Sequence, residues 1–157
     1  MRFCSLLIRS SGPTLFHGEA GQSLVETALL LPLLVTILLG GAEVAQVAYA
    51  AIEVANAARA GAQYGTQTAG TVSDTTGIAT AAANDAADIT ALTTTSSYSC
   101  VCSNGSASTC ANTDCNNSHI EKILTVNTQA TVNPSFHIPG LPTTYTLKGQ
   151  AIQKCVQ

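Results

Sequence analysis

From Thr27 to Ala42 the chain carries no charged side chain, and a single carboxylate, Glu26, stands at the mouth of this run. Residues 24–42 read Leu-Val-Glu-Thr-Ala-Leu-Leu-Leu-Pro-Leu-Leu-Val-Thr-Ile-Leu-Leu-Gly-Gly-Ala. Roughly 20 mostly apolar residues are what one helical bilayer crossing requires. In lipid a lone segment can satisfy its backbone N–H and C=O groups only as a helix, so the run predicts one membrane helix. A charge within such a segment costs roughly 3 kcal/mol at the centre and less towards an end. Glu26 therefore calls for interfacial water or for a partner within the membrane.

Arg2 and Arg9 precede the apolar run, and the next basic residue is Arg59. That bias places the N-terminus in the cytoplasm and the bulk of the chain outside, a single-pass topology. The net charge of −3 offers no basic surface for nucleic acid. Charged residues make up only 10% of the chain, and Thr, Ser, Asn, Ala and Gly abound. Such a surface suits a packed extracytoplasmic assembly better than a freely soluble enzyme.

Three stretches carry a family resemblance: Gly21-Gln22-Ser23-Leu24-Val25-Glu26, then Leu29-Leu30-Leu31-Pro32-Leu33-Leu34, then Ala57-Ala58-Arg59-Ala60-Gly61-Ala62-Gln63-Tyr64. A weaker fourth is Pro139-Gly140-Leu141-Pro142 with its flanking strands. Through these the chain resembles the TadE-like family, minor pseudopilins of tight-adherence (Flp-type) pilus systems. The family usually has an aromatic residue after the glutamate, where this chain has Thr27.

The resemblance implies that residues 1–21 are a leader removed after Gly21 by a prepilin peptidase on the cytoplasmic face of the bacterial inner membrane. The mature chain would begin at Gln22, with Glu26 its fifth residue. In pilin-like assemblies such a glutamate meets the N-terminal ammonium of a neighbouring subunit, which supplies the partner an unpaired carboxylate in low dielectric lacks. The implied partners are the peptidase, other pilin-like subunits, the inner-membrane assembly platform and membrane lipid. Adhesion or secretion follows by family association only. The leader's apolar patch around Leu6 is too short for a secretory h-region. A rival reading takes the apolar run itself as the h-region, cleaved after Ala42 or after Ala48-Tyr49-Ala50, and releases a soluble binding domain. A second rival is a permanently anchored periplasmic protein that joins no filament.

Beyond Ala42 the helix is expected to continue. Val44, Val47, Ala48, Ala51, Ala55, Ala58 and Ala62 recur at three- and four-residue steps, with Glu43, Gln46, Glu53, Asn56 and Gln63 on another face. A helix from Ser23 to Tyr64 would run about 60 Å. Its alanine face serves either the chain's own core or a neighbouring subunit. Pro32 removes a backbone donor and clashes with the preceding turn, predicting a kink. Gly61, Gly65 and Gly70 read as the stop.

Residues 66–157 then read as an α+β head. Ser73 or Asp74 caps a short helix from Thr75 to Leu92, with Ile78, Ala82, Ala86 and Ile89 on one side. Leu124, Val126, Ala130 and Val132 alternate with Thr125, Asn127, Gln129 and Thr131. Tyr145, Leu147, Gly149, Ala151 and Cys155 alternate with Thr144, Thr146, Lys148, Gln150 and Lys154. Both are half-buried strands, joined antiparallel through the proline-marked segment 133–142. Tyr98, Cys100 and Cys102 mark a third, and Ser103-Asn104-Gly105-Ser106 a turn. The sheet thus has about three strands.

A small head without Trp buries little large apolar surface, a deficit that crosslinks relieve. Cys100, Cys102, Cys110, Cys115 and Cys155 lie in the oxidising compartment of this topology, and Cys4 leaves with the leader. Two bridges and one leftover cysteine are expected, with Cys155 near Cys100 or Cys102 and a second link within the 102–115 loop left open among the connectivities. The cysteine spacings, with His119 nearby, match no standard zinc finger. His119 and His137 have no nucleophile elbow, phosphate loop or HExxH helix to give them a role. The expectation is a structural protein, without cofactor, metal or catalytic residue.

Overall fold

Uninterrupted apolar and helix-forming residues produce one long helix, α1 (Glu19–Gly65), which runs through Pro32. The computed structural model describes residues 19–111, 113–136 and 140–156. After α1 come a 3₁₀ turn (Thr71–Ser73), helix α2 (Thr75–Asp85) and four strands: β1 (Thr93–Cys102), β2 (Ala107–Ser108), β3 (Ile120–Val132) and β4 (Tyr145–Val156). A boundary between Leu38 and Leu39 divides the chain into two units.

In the first unit the side chains of residues 21–38 are all exposed, Leu24, Leu29 and Leu38 about 70% so. Apolar side chains in that state have no partner among the described residues, the exposure expected of a surface that meets lipid or another protein.

The second unit is built on an antiparallel sheet in the order β2-β1-β3-β4. Alternation explains β3 and β4. Leu124, Val126, Thr128 and Ala130 are buried, as are Gly149, Ala151 and Cys155, while the intervening positions are partly or fully exposed. The sheet has four strands rather than three. The extra one is a two-residue strand, β2, which folds back on Cys100 and Val101 through the Ser103–Ser106 turn. The Cys102 N–H donates to the Ser106 carbonyl at 2.8 Å, and the Gly105 N–H donates to the Cys102 carbonyl.

The helices cover one face. Ala58 and Ala62 of α1, Val72 of the 3₁₀ turn and Ile78 of α2 meet Leu124, Val126, Ala151 and Cys155. A second cluster joins Ala57, Ala82 and Ala86, flanked by Ile89 and Leu92. Ala50, Ala57, Ala58 and Ala62 are thus intramolecular core. The buried face of α1 is rotated from the expected one: Val44 and Ala48 are exposed, and Glu43 is buried. Gly65 is a packing residue as well as a stop, because a Cβ there would collide with Leu124.

Helix α2 starts where a cap permits. Asp74, rather than Ser73, is the N-cap, and its carboxylate accepts from the Gly77 N–H at 2.9 Å. The helix ends at Asp85, seven residues before the expected Leu92. Ala86 turns out of helical geometry to reach the core, and Ile89 and Leu92 pack from the following turns.

Candidate assembly segment and head

Gly21, Gln22 and Glu26 lie on exposed early turns of α1. Gln22 and Glu26 are four residues apart, so they share a helix face one turn from each other. The polar groups of the apolar stretch are satisfied locally. The Thr27 hydroxyl donates to the Ser23 carbonyl at 2.9 Å, and the Thr36 hydroxyl to the Pro32 carbonyl at 2.7 Å. These bonds let two threonines sit in an apolar run without exposing a donor. Glu26 is left as the charge without a partner among the described residues of its unit. Among the described residues, one helix is long and apolar enough to cross a membrane, and it is this one.

The family model for TadE-like proteins matches residues 21–63. Residues 21–63 are a TadE-like segment. The match begins at Gly21, spans the glutamate and the whole apolar run, and stops before the sheet. No curated protein and no solved structure matches the chain. Residues 1–18 of the expected leader, with Cys4, and His137 and Pro139 of the 133–142 connection lie outside the described residues.

Beyond the TadE-like segment the head is braced covalently. Cys100 pairs with Cys110 and Cys102 with Cys115. Cys155 joins neither of the bridges left open to it. It sits on β4 opposite Lys122 of β3, and β3 separates it from Cys100 and Cys102 on β1. Two strand spacings of about 4.8 Å exceed the Cα separation a disulfide tolerates. Its thiol is buried instead and donates weakly to the Thr66 carbonyl. Around the bridges, Asp114 accepts from the Thr109 N–H and hydroxyl and from Ser108, and these bonds, Thr109 foremost, hold its carboxyl below the usual aspartate value.

One residue past the apolar run is a polar site the sequence did not reveal. Glu43 is 2% exposed. The Tyr145 hydroxyl donates to its Oε1 at 3.4 Å, and its Oε2 has no hydrogen-bond partner among the described residues. Burial first, then the Glu43 charge, raises the Tyr145 hydroxyl above its ordinary value. Next to it the Ser135 N–H donates to Gln46 Oε1 at 3.1 Å, tying the β3–β4 connection to the helix. Nothing local in the sequence marks this contact, because Tyr145 and Glu43 are brought together only by the return of β4.

Proposed function

We propose that this chain is a structural, pseudopilin-like subunit of a tight-adherence pilus. It is held in the bacterial inner membrane by residues 24–42, with its N-terminus cytoplasmic and residues 66–157 outside. A prepilin peptidase removes residues 1–21, so that residues 22–65 become the membrane and assembly helix. Glu26 then pairs with the new amino terminus of a neighbouring subunit. The role is assembly, not catalysis.

The observation that carries this reading is the coincidence of the TadE-like match with the exposed apolar stretch of α1. Side chains that find no partner among the described residues belong to the same segment that the family model matches. A charge at its mouth with no local counter-ion fits assembly as the step that supplies one. The head fits the same role, since its cysteines are bridged as in an oxidising compartment.

N-terminal sequencing of the protein recovered from its native host, together with sheared surface filaments, tests the proposal. A product starting at Gln22 and present in the filament fraction is the expected result. A product starting beyond Leu39 would remove the anchor and overturn the proposal, and recovery from membranes alone would overturn filament incorporation.

A further inference from the structure

Among the described residues no element covers the outer face of the sheet, opposite the helices. Its side chains stand in cross-strand rows. Thr93, Gln129 and Lys148 form one row across β1, β3 and β4, and Thr95, Asn127 and Gln150 form the next. Within a row the spacing is about 4.8 Å, and between rows about 6.7 Å. The two rows border an open depression of about 570 Å³, which Thr128 and Gly149 also line.

The lining decides what the depression can hold. A protein partner would need buried aromatic or large aliphatic anchors, and none lines it. A nucleic-acid strand would need several cations, and Lys148 is alone. A metal ion would need carboxylates or imidazoles, and none lines it either. What remains are two hydroxyls, three side-chain amides and one ammonium. Each amide presents a donor and an acceptor side by side, a pattern that spans adjacent hydroxyls of a polyol. The Gln150 amide donates to Asn127 Oδ1 at 2.8 Å, so the central pair is already oriented. Asn127 keeps its N–H donors and Gln150 its carbonyl for a ligand.

We infer that this depression binds a short stretch of uncharged glycan, held by the Asn127–Gln150 amide pair with Thr95, Thr93 and Gln129 around it. Without an aromatic platform each contact is weak, in the millimolar range. The inference goes beyond the pilus role and does not rest on it, since binding is read on the isolated protein.

The test uses the full chain in phosphocholine micelles with four soluble probes: maltotetraose, cellotetraose, tetra-N-acetylchitotetraose and tetragalacturonate. Saturation-transfer NMR on each probe at up to about 10 mM reads binding in the expected range. Transfer to at least one of the three uncharged probes is expected, weakened about tenfold in the Asn127→Ala, Gln150→Ala double variant. The Thr80→Ala variant, on α2 and outside the depression, should bind as the wild type does. Far-UV circular dichroism shows that each variant keeps its fold. No transfer to any probe, transfer to tetragalacturonate alone, or binding unaltered by the double substitution would overturn the assignment.

Discussion

The hydroxyl of Thr128, on the central strand, donates a 2.7 Å hydrogen bond to the main-chain carbonyl of Val54 in α1. This is a buried polar tie between helix and sheet in a mainly apolar core. Replacing Thr128 by Val keeps the shape and removes the donor. The expected loss is about 1 kcal/mol, at the modest end because the Val54 carbonyl keeps its helical partner. Chemical unfolding of Thr128→Val against Thr128→Ser checks it, and the serine variant should retain most of the stability.

Gly149 lets that contact form. A Cβ there would lie 2.5 Å from the Val54 carbonyl oxygen and 2.6 Å from Thr128 Oγ1. Gly149→Ala must push α1 from β4, at a cost of about 1–3 kcal/mol. Gly41 is the contrast: nothing lies within 4 Å of its added Cβ. Gly41→Ala should be neutral or stabilising, since alanine favours helix. Thermal unfolding of the two variants in the same micelle separates the effects.

The Gly77 N–H, and after it the Tyr64 hydroxyl, hold the Asp74 carboxyl below its usual value. A carboxyl lowered in the folded state contributes stability that is present above its unfolded value, near 4, and is lost as the pH falls through the folded one. The stability gap between wild type and Asp74→Ala should therefore be full at pH 7 and shrink below pH 4. Denaturant melts at a series of pH values read the gap directly, and a constant gap would contradict the pairing.

Glu26→Ala removes the charge at the mouth of the apolar run. Membrane insertion should be retained or improved, because an unfavourable transfer is relieved. Filament formation should fail. Membrane fractionation and sheared-filament blots on the same cells report the two outcomes separately.

Legibility followed the physics of each element. The alternation in β3 and β4 was readable because one face is buried and a side-chain period of two admits one register. The cap of α2 was readable because Asp74 stands directly before a helical run. The buried face of α1 was readable in part: Ala58 and Ala62 of the expected face are buried, whereas Val44 and Ala48 are exposed, because the apolar positions between Ala42 and Gly65 spread over more than one side. Glu43 went with the polar face by residue type, whereas the return of β4 covers it with Tyr145. The end of α2 escaped notice because alanines continue past Asp85, and only the core contact of Ala86 turns the chain. Strand order is a tertiary fact, so the exclusion of Cys155 from the bridges could not be read from spacing. A two-residue strand such as β2 has too few positions to show any period.

Both bridges fall between Cys100 and Cys115. Among the described residues, tension entering the head along α1 would meet no covalent crosslink before the sheet, only side-chain packing and hydrogen bonds such as Thr128 to Val54, Tyr145 to Glu43 and Ser135 to Gln46. Under mechanical load the helix would peel away first, leaving the stapled hairpin intact, so the grip between rod and head is set by close fit and not by sulfur.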